Sequence, residues 1–154
     1  MKVIFITDDL SYEGRCENLC KIVNGFIRKG EYEFYAFCSE DDAIEGDIIS
    51  FIPLMEGEEI TDYVREIVDR ERFFIVLERG ALPLDYAKML RAHLSEGWGI
   101  TVGAYSGERD KWRNTGVFIL ENEYLDTAKL SSFEKSVVIP CAENGELNVF
   151  FERC

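Results

Sequence analysis

The residues best suited to chemistry follow the first apolar run of the chain. Asp8 and Asp9 come directly after residues 3–7, a continuous apolar and β-branched run that is typical of a strand buried on both faces. Two carboxylates at the end of such a strand could bind Mg²⁺, with Glu78 after a later strand as a third oxygen ligand. The same pair could instead only cap or solvate the turn before the first helix.

Other polar residues also follow the ends of predicted strands. In an α/β sheet, ligands bind beyond the carboxyl ends of the strands. The candidate ligand-binding residues are Asp8, Asp9, Ser11, Tyr12, Glu13, Gly14, Arg15, Arg79, Tyr105 and Ser106. Two interpretations of this set stay open, because the turn can also be purely structural and Tyr105 can be a core residue at a strand end. No residue is assigned a catalytic role.

The cysteines and the single histidine do not predict a metal centre. Cys16, Cys20, Cys38, Cys141 and Cys154 contain no C-x-x-C pair, and His93 is the only histidine. A structural zinc site is therefore not expected, and we expect buried free thiols. His93 falls within a predicted helix, where we expect a surface or boundary position. No cofactor is predicted.

Strands alternate with helices along the chain. The predicted strands are residues 3–7, 32–38, 48–52, 73–77, 100–105, 116–120 and 137–139, with 147–151 as an edge strand or a linker. This alternation predicts an α/β fold, a three-layer Rossmann-like sandwich with a mostly parallel sheet and right-handed crossovers.

The predicted helices have apolar faces at a spacing of three and four residues. In the first helix this face is Leu19, Ile22, Val23 and Phe26, and Thr61 is a candidate cap for the next one. In the helix after Pro83 the pattern is marked by Leu84, Ala87, Leu90, Arg91 and Leu94. We expect Trp98 to pack in the core or at its boundary, and Trp112 to lie in a charged loop, either exposed or folded back beneath it.

Composition limits the class of protein. The chain has 154 residues, 47% of them hydrophobic and 13% aromatic, which suits a single domain over 1–154 with a proper core. No apolar run approaches the ~20 residues that span a bilayer, and the N-terminus does not resemble a signal peptide, so we expect a cytoplasmic protein. The formal charge of −13 argues against nucleic acid and anionic membrane as partners.

The order of these segments resembles the N-terminal half of GT-B glycosyltransferases of the family-four type. Glu13-Gly14 stands where those enzymes have a glycine pair, the helix ends at Lys29-Gly30, and a second strand follows. Residues 118–125 are similar to the family's strand with a Ser-Glu step. Residues 138–143 are similar to its strand that runs into "V-I-P-N-G-V-D". The resemblance spans nearly the whole chain.

The resemblance implies an acceptor-side domain that acts without its own donor domain. Such a domain is either a subunit of a split enzyme, completed by a separate donor-binding protein, or a binding module that lost the chemistry. The expected partners are that donor-binding protein or, by self-association, a second copy of the chain. Two departures favour the absence of catalysis by the chain alone. No histidine follows residues 100–102, and Glu13 would repel a donor diphosphate. A Mg-dependent phosphoryl-transfer or nuclease-type hydrolase using Asp8 and Asp9 is the alternative.

Overall fold

The computed structural model describes residues 1–6, 19, 21–26, 29–39, 48–78, 81, 84–106 and 112–152. The strands are β1 (Lys2–Phe5), β2 (Glu33–Ser39), β3 (Ile49–Leu54), β4 (Phe73–Leu77), β5 (Ile100–Ser106), β6 (Trp112–Glu121) and β7 (Leu147–Glu152). The helices are α1 (helical residues 19 and 21–25), α2 (Ile60–Ile67), α3 (Tyr86–Glu96) and α4 (Ile139–Glu143). Short 3₁₀ turns occupy Lys29–Glu31, Asn122–Asp126 and Leu130–Ser132, and a π-helical turn occupies Glu134–Val138.

The seven strands form one mostly parallel sheet, which confirms the predicted α/β class. Their order is β3-β2-β1-β4-β6-β5-β7. Only β6 runs antiparallel to its neighbours among the described strands, between β4 and β5. The five residues between β5 and β6 are too few for a parallel crossover. They suit a hairpin instead.

Alternate residues of the strands fill two separate cores, one on each face of the sheet. Val3 and Phe5 of β1 point to the face that α1 and α3 cover. Ile4 and Ile6 point to the opposite face, which α2 and the segment 122–143 cover. This alternation makes a three-layer sandwich, because each strand is apolar on both faces and must be covered twice.

The crossover through α3 has the opposite hand to the other two. The connection through α1 runs from β1 toward the β3 edge on one face. The connection through α2 runs the other way on the other face, so the two share one hand. The α3 connection runs in the direction of α2 but on the face of α1. The expectation of uniformly right-handed crossovers therefore fails for one of the three.

The segment predicted as a strand over 137–139 is helical. The π-helical turn Glu134–Val138 continues directly into α4. Phe133, Val137 and Cys141, four residues apart, are all buried, and this spacing places one face of a helix on the core. Pro140 falls in the first turn of α4, where proline is tolerated. This part of the glycosyltransferase resemblance, which required a strand, is therefore lost.

The helix faces were predicted with mixed success. Leu19, Ile22, Val23 and Phe26 of the first helix are all buried, as expected. Of the predicted set for α3, Leu84 is buried just before the helix and Leu90 is half-buried against the same core, whereas Ala87, Arg91 and Leu94 are exposed. The buried residues within α3 are Tyr86, Met89 and His93, so the prediction was right only in part.

Four smaller expectations were also wrong. Strand β3 continues through Pro53 to Leu54, which an edge strand tolerates. Thr61 lies inside α2 and does not cap it, since the cap position is Glu59. Trp98 is 50% exposed. Trp112 begins β6 rather than lying in a loop.

No helix in the described ranges is both long enough and apolar enough to cross a membrane.

Candidate functional site

Most of the predicted site residues follow β1 or β4 in the chain, and the order of the strands reverses between these two. From β1 the chain continues toward one edge of the sheet and from β4 toward the other, and open α/β sheets bind ligands at the carboxyl ends of such a pair of strands. The Ile6 N–H donates to the Leu77 carbonyl at 2.9 Å, and the Glu78 N–H donates to the Gly116 carbonyl at 2.8 Å. Strands β1, β4 and β6 therefore stay paired up to this edge.

Most of the predicted site residues lie outside the described part of the chain. These are Asp8, Asp9, Ser11, Tyr12, Glu13, Gly14, Arg15 and Arg79. Tyr105 and Ser106 are the last two residues of β5. Because β4 and β6 separate β5 from β1, the ends of these strands are about 14 Å apart at the usual spacing. The two groups of candidates therefore do not meet side by side in the sheet.

Tyr105 agrees with its interpretation as a core residue. It is half-buried and packs against the core on the α1 and α3 face. Near it, the hydroxyl of Tyr86 is buried without a hydrogen-bond partner among the described residues. Burial raises the pKa of Tyr86, as do the nearby Tyr105 and Glu152. A buried donor of this kind is costly unless an acceptor reaches it, and this hydroxyl lies toward the ends of β5 and β7 rather than beside the end of β1.

The thiols follow the sequence prediction where the structure describes them. Cys38 and Cys141 are buried and form no disulfide, and burial raises the pKa of Cys141 to about 11. Such thiols are poor nucleophiles, because the thiolate is the reactive form. Within the described ranges no group of three or more His, Cys, Asp or Glu side chains could hold a metal ion.

The sequence reasoning missed a polar cluster at the opposite, amino edge of the sheet. This His93 cluster consists of the buried His93, Thr101 and Glu121 and the exposed Arg72. The imidazole Nδ1 of His93 lies 2.9 Å from Thr101 Oγ1, and its Nε2 lies 3.2 Å from Glu121 Oε1. The guanidinium of Arg72 donates to Glu121 at 3.2 Å and to the Gly97 carbonyl at 2.9 Å.

The His93 cluster has the order of a nucleophile, a base and an acid, but its burial prevents that chemistry. Thr101 and His93 are each only 1% exposed, so a substrate cannot reach the hydroxyl. Burial lowers the pKa of His93, an effect that Glu121 partly opposes. The neutral imidazole then bridges α3 to β5 and β6. We interpret the cluster as the anchor that holds α3 on its face of the sheet.

One signal in the sequence could have located this anchor. His93 follows Met89 by four residues and Tyr86 by seven, which places all three on one face of a helix. A polar residue in an otherwise buried stripe must find partners. The pattern alone does not name Glu121, which lies 28 residues further along the chain.

A groove of about 230 Å³ runs between α3 and β7, beside the His93 cluster. Its lining residues are Ala92, Glu96, Thr101, Leu147, Asn148, Val149 and Phe150. The Asn148 side chain already donates to the Trp98 carbonyl at 2.9 Å, and Glu96 is the one charged side chain of the lining. The groove thus offers little convergent polar chemistry, and we favour the carboxyl edge as the site.

A second polar cluster lies on the α2 side of the sheet. This Thr61 cluster consists of Glu59, Thr61, Leu130 and Ser131. The Thr61 hydroxyl accepts from the Leu130 N–H at 2.8 Å and donates to Glu59 at 2.9 Å. Glu59 also accepts from the Ser131 hydroxyl at 2.7 Å. The cluster joins the start of α2 to the 3₁₀ turn that passes beside it.

No protein-family model and no curated protein sequence matches this chain. The chain is therefore classified by its architecture alone, as an α/β domain with a seven-stranded, mostly parallel sheet.

Proposed function

We propose that this chain is a ligand-binding domain that does not catalyse a reaction by itself. The observation that carries the proposal is the reversal of strand order between β1 and β4. Open α/β sheets bind ligands in the crevice at such a point, beyond the carboxyl ends of the strands. The turn that contains Asp8, Asp9 and Glu13 follows β1 directly along the chain.

The charges near this crevice favour a neutral, hydroxyl-rich ligand over a phosphorylated one. Asp8, Asp9 and Glu13 follow β1, and Glu78 follows β4, against Arg15 and Arg79. The whole chain carries −13, which adds to the repulsion of anions. Carboxylates accept hydrogen bonds from the hydroxyl groups of a sugar or polyol, so a saccharide acceptor suits the crevice.

The position of the histidine supports the absence of catalysis. His93 is the only histidine of the chain, and it is buried at the amino edge within the His93 cluster. The carboxyl edge therefore has no imidazole to act as a general base near neutral pH.

The second candidate is the acceptor-side subunit of a split glycosyltransferase, completed by a separate donor-binding protein. The presence of β4, α3 and β5 in the order that the family resemblance requires favours it. The helical segment 133–143 and the antiparallel β6 count against it.

A titration followed by NMR tests the binding proposal. Neutral mono- and disaccharides are added to the labelled chain, with sugar phosphates and Mg²⁺ in parallel. We expect a neutral saccharide to shift the amides of Ile6 and Glu78, and Asp8→Asn to weaken binding. The matched control is Asp69→Asn, in the turn after α2, which should change nothing. Shifts confined to the groove beside β7, or no binding at all, would contradict the proposal.

Two further outcomes separate the alternatives. Sugar transfer from a nucleotide donor by the purified chain alone would refute the absence of catalysis, whereas transfer only with a second protein would support the split enzyme. A melting temperature that rises with Mg²⁺, and no longer does so in Asp8→Asn, would support the hydrolase instead.

The hydroxyl of Tyr86 gives a second, independent test. Tyr86→Phe removes a buried group that lacks a partner among the described residues, so stability should stay the same or rise. If the ligand supplies the missing acceptor, saccharide affinity should fall by about tenfold, the effect of one hydrogen bond. Unchanged affinity would remove Tyr86 from the site.

A further inference from the structure

Among the described strands, β7 is an edge strand with a neighbour on one side only. The Ile100 N–H donates to the Glu146 carbonyl at 2.9 Å, and Ile100 pairs with Leu147 in the parallel ladder. By the geometry of a parallel ladder, the even-numbered residues of β7 direct their backbone groups toward β5. The N–H and C=O groups of Leu147, Val149 and Phe151 therefore point outward, and no described strand pairs with them.

The two edges of the sheet differ in how they are protected. The opposite edge strand, β3, contains Pro53, which has no N–H to donate. Proline, lysine and bulges are the devices by which edge strands avoid pairing. Strand β7 has the sequence LNVFFE, with neither proline nor lysine, and Phe151 is 49% exposed. An apolar edge of this kind is a template for another strand.

We propose that β7 pairs antiparallel with β7 of a second copy of this chain, which joins two sheets into one. A two-fold axis perpendicular to the sheet keeps each face on its own side, so every residue lies opposite a residue of the same parity. A second copy is the partner that suits a self-complementary strand, and the proposal is independent of the ligand at the carboxyl edge.

Charge selects the register. With Val149 on the axis, Glu146 lies opposite Glu152 of the other copy, and like charges in that position are destabilising. With Phe150 on the axis, Glu152 lies opposite Asn148 and Val149 opposite Phe151. The second register keeps the carboxylates apart and places an aromatic pair at the centre, so it is the register of the dimer.

The net charge predicts how this dimer responds to salt. Each copy carries −13, and two such copies repel each other over a range that salt shortens. Association through β7 should therefore strengthen as ionic strength rises. An interface held by ion pairs would weaken instead.

Sedimentation equilibrium with a proline variant tests the interface. Val149→Pro removes an outward N–H and leaves the ladder to β5, which uses Asn148 and Phe150. Val149→Ala is the matched control, since it also loses the valine side chain but keeps the N–H. We expect Val149→Pro to be monomeric and Val149→Ala to dimerise, with similar far-UV circular dichroism. Equal dimerisation of both variants would overturn the proposal.

Wild type and a charge variant test the proposal without proline. We expect Asn148→Lys to tighten the dimer by about tenfold, because each Lys then faces a Glu152 of the other copy in two symmetric pairs. Asp69→Asn makes the same change in net charge away from β7 and controls for it. A wild-type chain that stays monomeric at millimolar concentration and high salt would rule the dimer out. Equal effects of the two variants would overturn the register.

Discussion

On each face of the sheet a buried threonine hydroxyl belongs to a polar cluster, and the two clusters differ in kind. Thr61 and Thr101 are both 1% exposed. Thr61 bonds a backbone N–H and a partly exposed carboxylate close to α2. Thr101 bonds His93, which continues to Glu121 and Arg72. The Thr61 cluster joins neighbouring segments, whereas the His93 cluster holds α3 to the sheet through a series of ionisable side chains.

Helices α2 and α3 differ in the kind of contact that holds them to the sheet. Helix α2 buries Val64 and Val68 against the sheet and belongs to a crossover of the same hand as that of α1. The crossover through α3 has the opposite hand, and the buried residues of α3 include a histidine. We interpret the His93 cluster as the interaction that fixes α3 to a face that common crossover geometry does not favour.

The largest expected effect comes from breaking that anchor. Glu121→Ala leaves the buried His93 Nε2 without its acceptor and should lower the free energy of unfolding by about 2–3 kcal/mol. Glu121→Gln retains an acceptor and should lose less. Urea denaturation measures both variants. If Glu121→Ala remains within about 0.5 kcal/mol of wild type, the cluster is not an anchor.

A pair of threonine variants compares the two faces directly. Thr61→Val leaves the Leu130 N–H without its acceptor and removes a donor from Glu59. We therefore expect the free energy of unfolding to fall by about 2 kcal/mol. Thr101→Val removes one partner of His93, so we expect about 1 kcal/mol. The substitution keeps the shape of the side chain in both cases. Thermal or urea unfolding that ranks the two in reverse would contradict this comparison.

The contributions of the two clusters to stability should be lost over different pH ranges. Burial holds the pKa of His93 below its usual value of about 6.5, so the unfolded chain takes up a proton that the folded chain refuses. Stability should therefore fall as the pH drops below about 6.5, by at most ~1.4 kcal/mol per unit. His93→Gln should flatten this decline, measured by unfolding between about pH 7.5 and 5.5. An unchanged slope would show that His93 is not its source.

Glu59 contributes to stability in a way that changes over a lower pH range than the contribution of His93. Burial raises the pKa of Glu59, but hydrogen bonds from Ser131 and Thr61 outweigh it and leave the pKa lowered. Its contribution to stability is therefore present above the usual range of a carboxyl and is lost as the pH falls through the folded pKa. We expect Glu59→Gln to change stability near neutral pH but not in strong acid. An effect that persists in strong acid would contradict this assignment.

The smallest effect is expected at the surface of α2. Asp62 pairs with Arg65 at 2.8 Å, with both side chains largely exposed, so Asp62→Asn should change stability by less than ~0.5 kcal/mol. Arg65→Ala should cost more, since Arg65 also donates to the Leu125 carbonyl at 3.1 Å. Urea denaturation separates the two. Equal effects would mean that the contact with Leu125 contributes nothing.

Much of the fold was predictable because local patterns carried it. Strands β1 and β4 are continuous apolar runs, and α1 buries the face that its leucine, isoleucine, valine and phenylalanine define. The failures arose where burial and apolar character diverge. In α3, His93 is buried while Leu94 is 50% exposed. Around Val137 a β-branched run lies in a helix, because its spacing to Phe133 and Cys141 matches the core.

The candidate site stays a prediction, because most of its residues lie outside the described ranges. The end of β1 could be assigned from the first apolar run. The separation of Tyr105 from the end of β1 could not, because it depends on β6 entering the sheet between β4 and β5. That insertion is a long-range pairing, and no local pattern in the sequence encodes the order of strands.

By itself, the sequence determined the class of the domain, the positions of most strands, its acidity and the single histidine. These follow from composition and periodicity, which act over a few residues. The tertiary structure decided the direction of β6, the face that α3 covers, the burial of His93 and the free edge of β7. Each of these depends on contacts between residues far apart in the chain, which form only when the strands have assembled into the sheet.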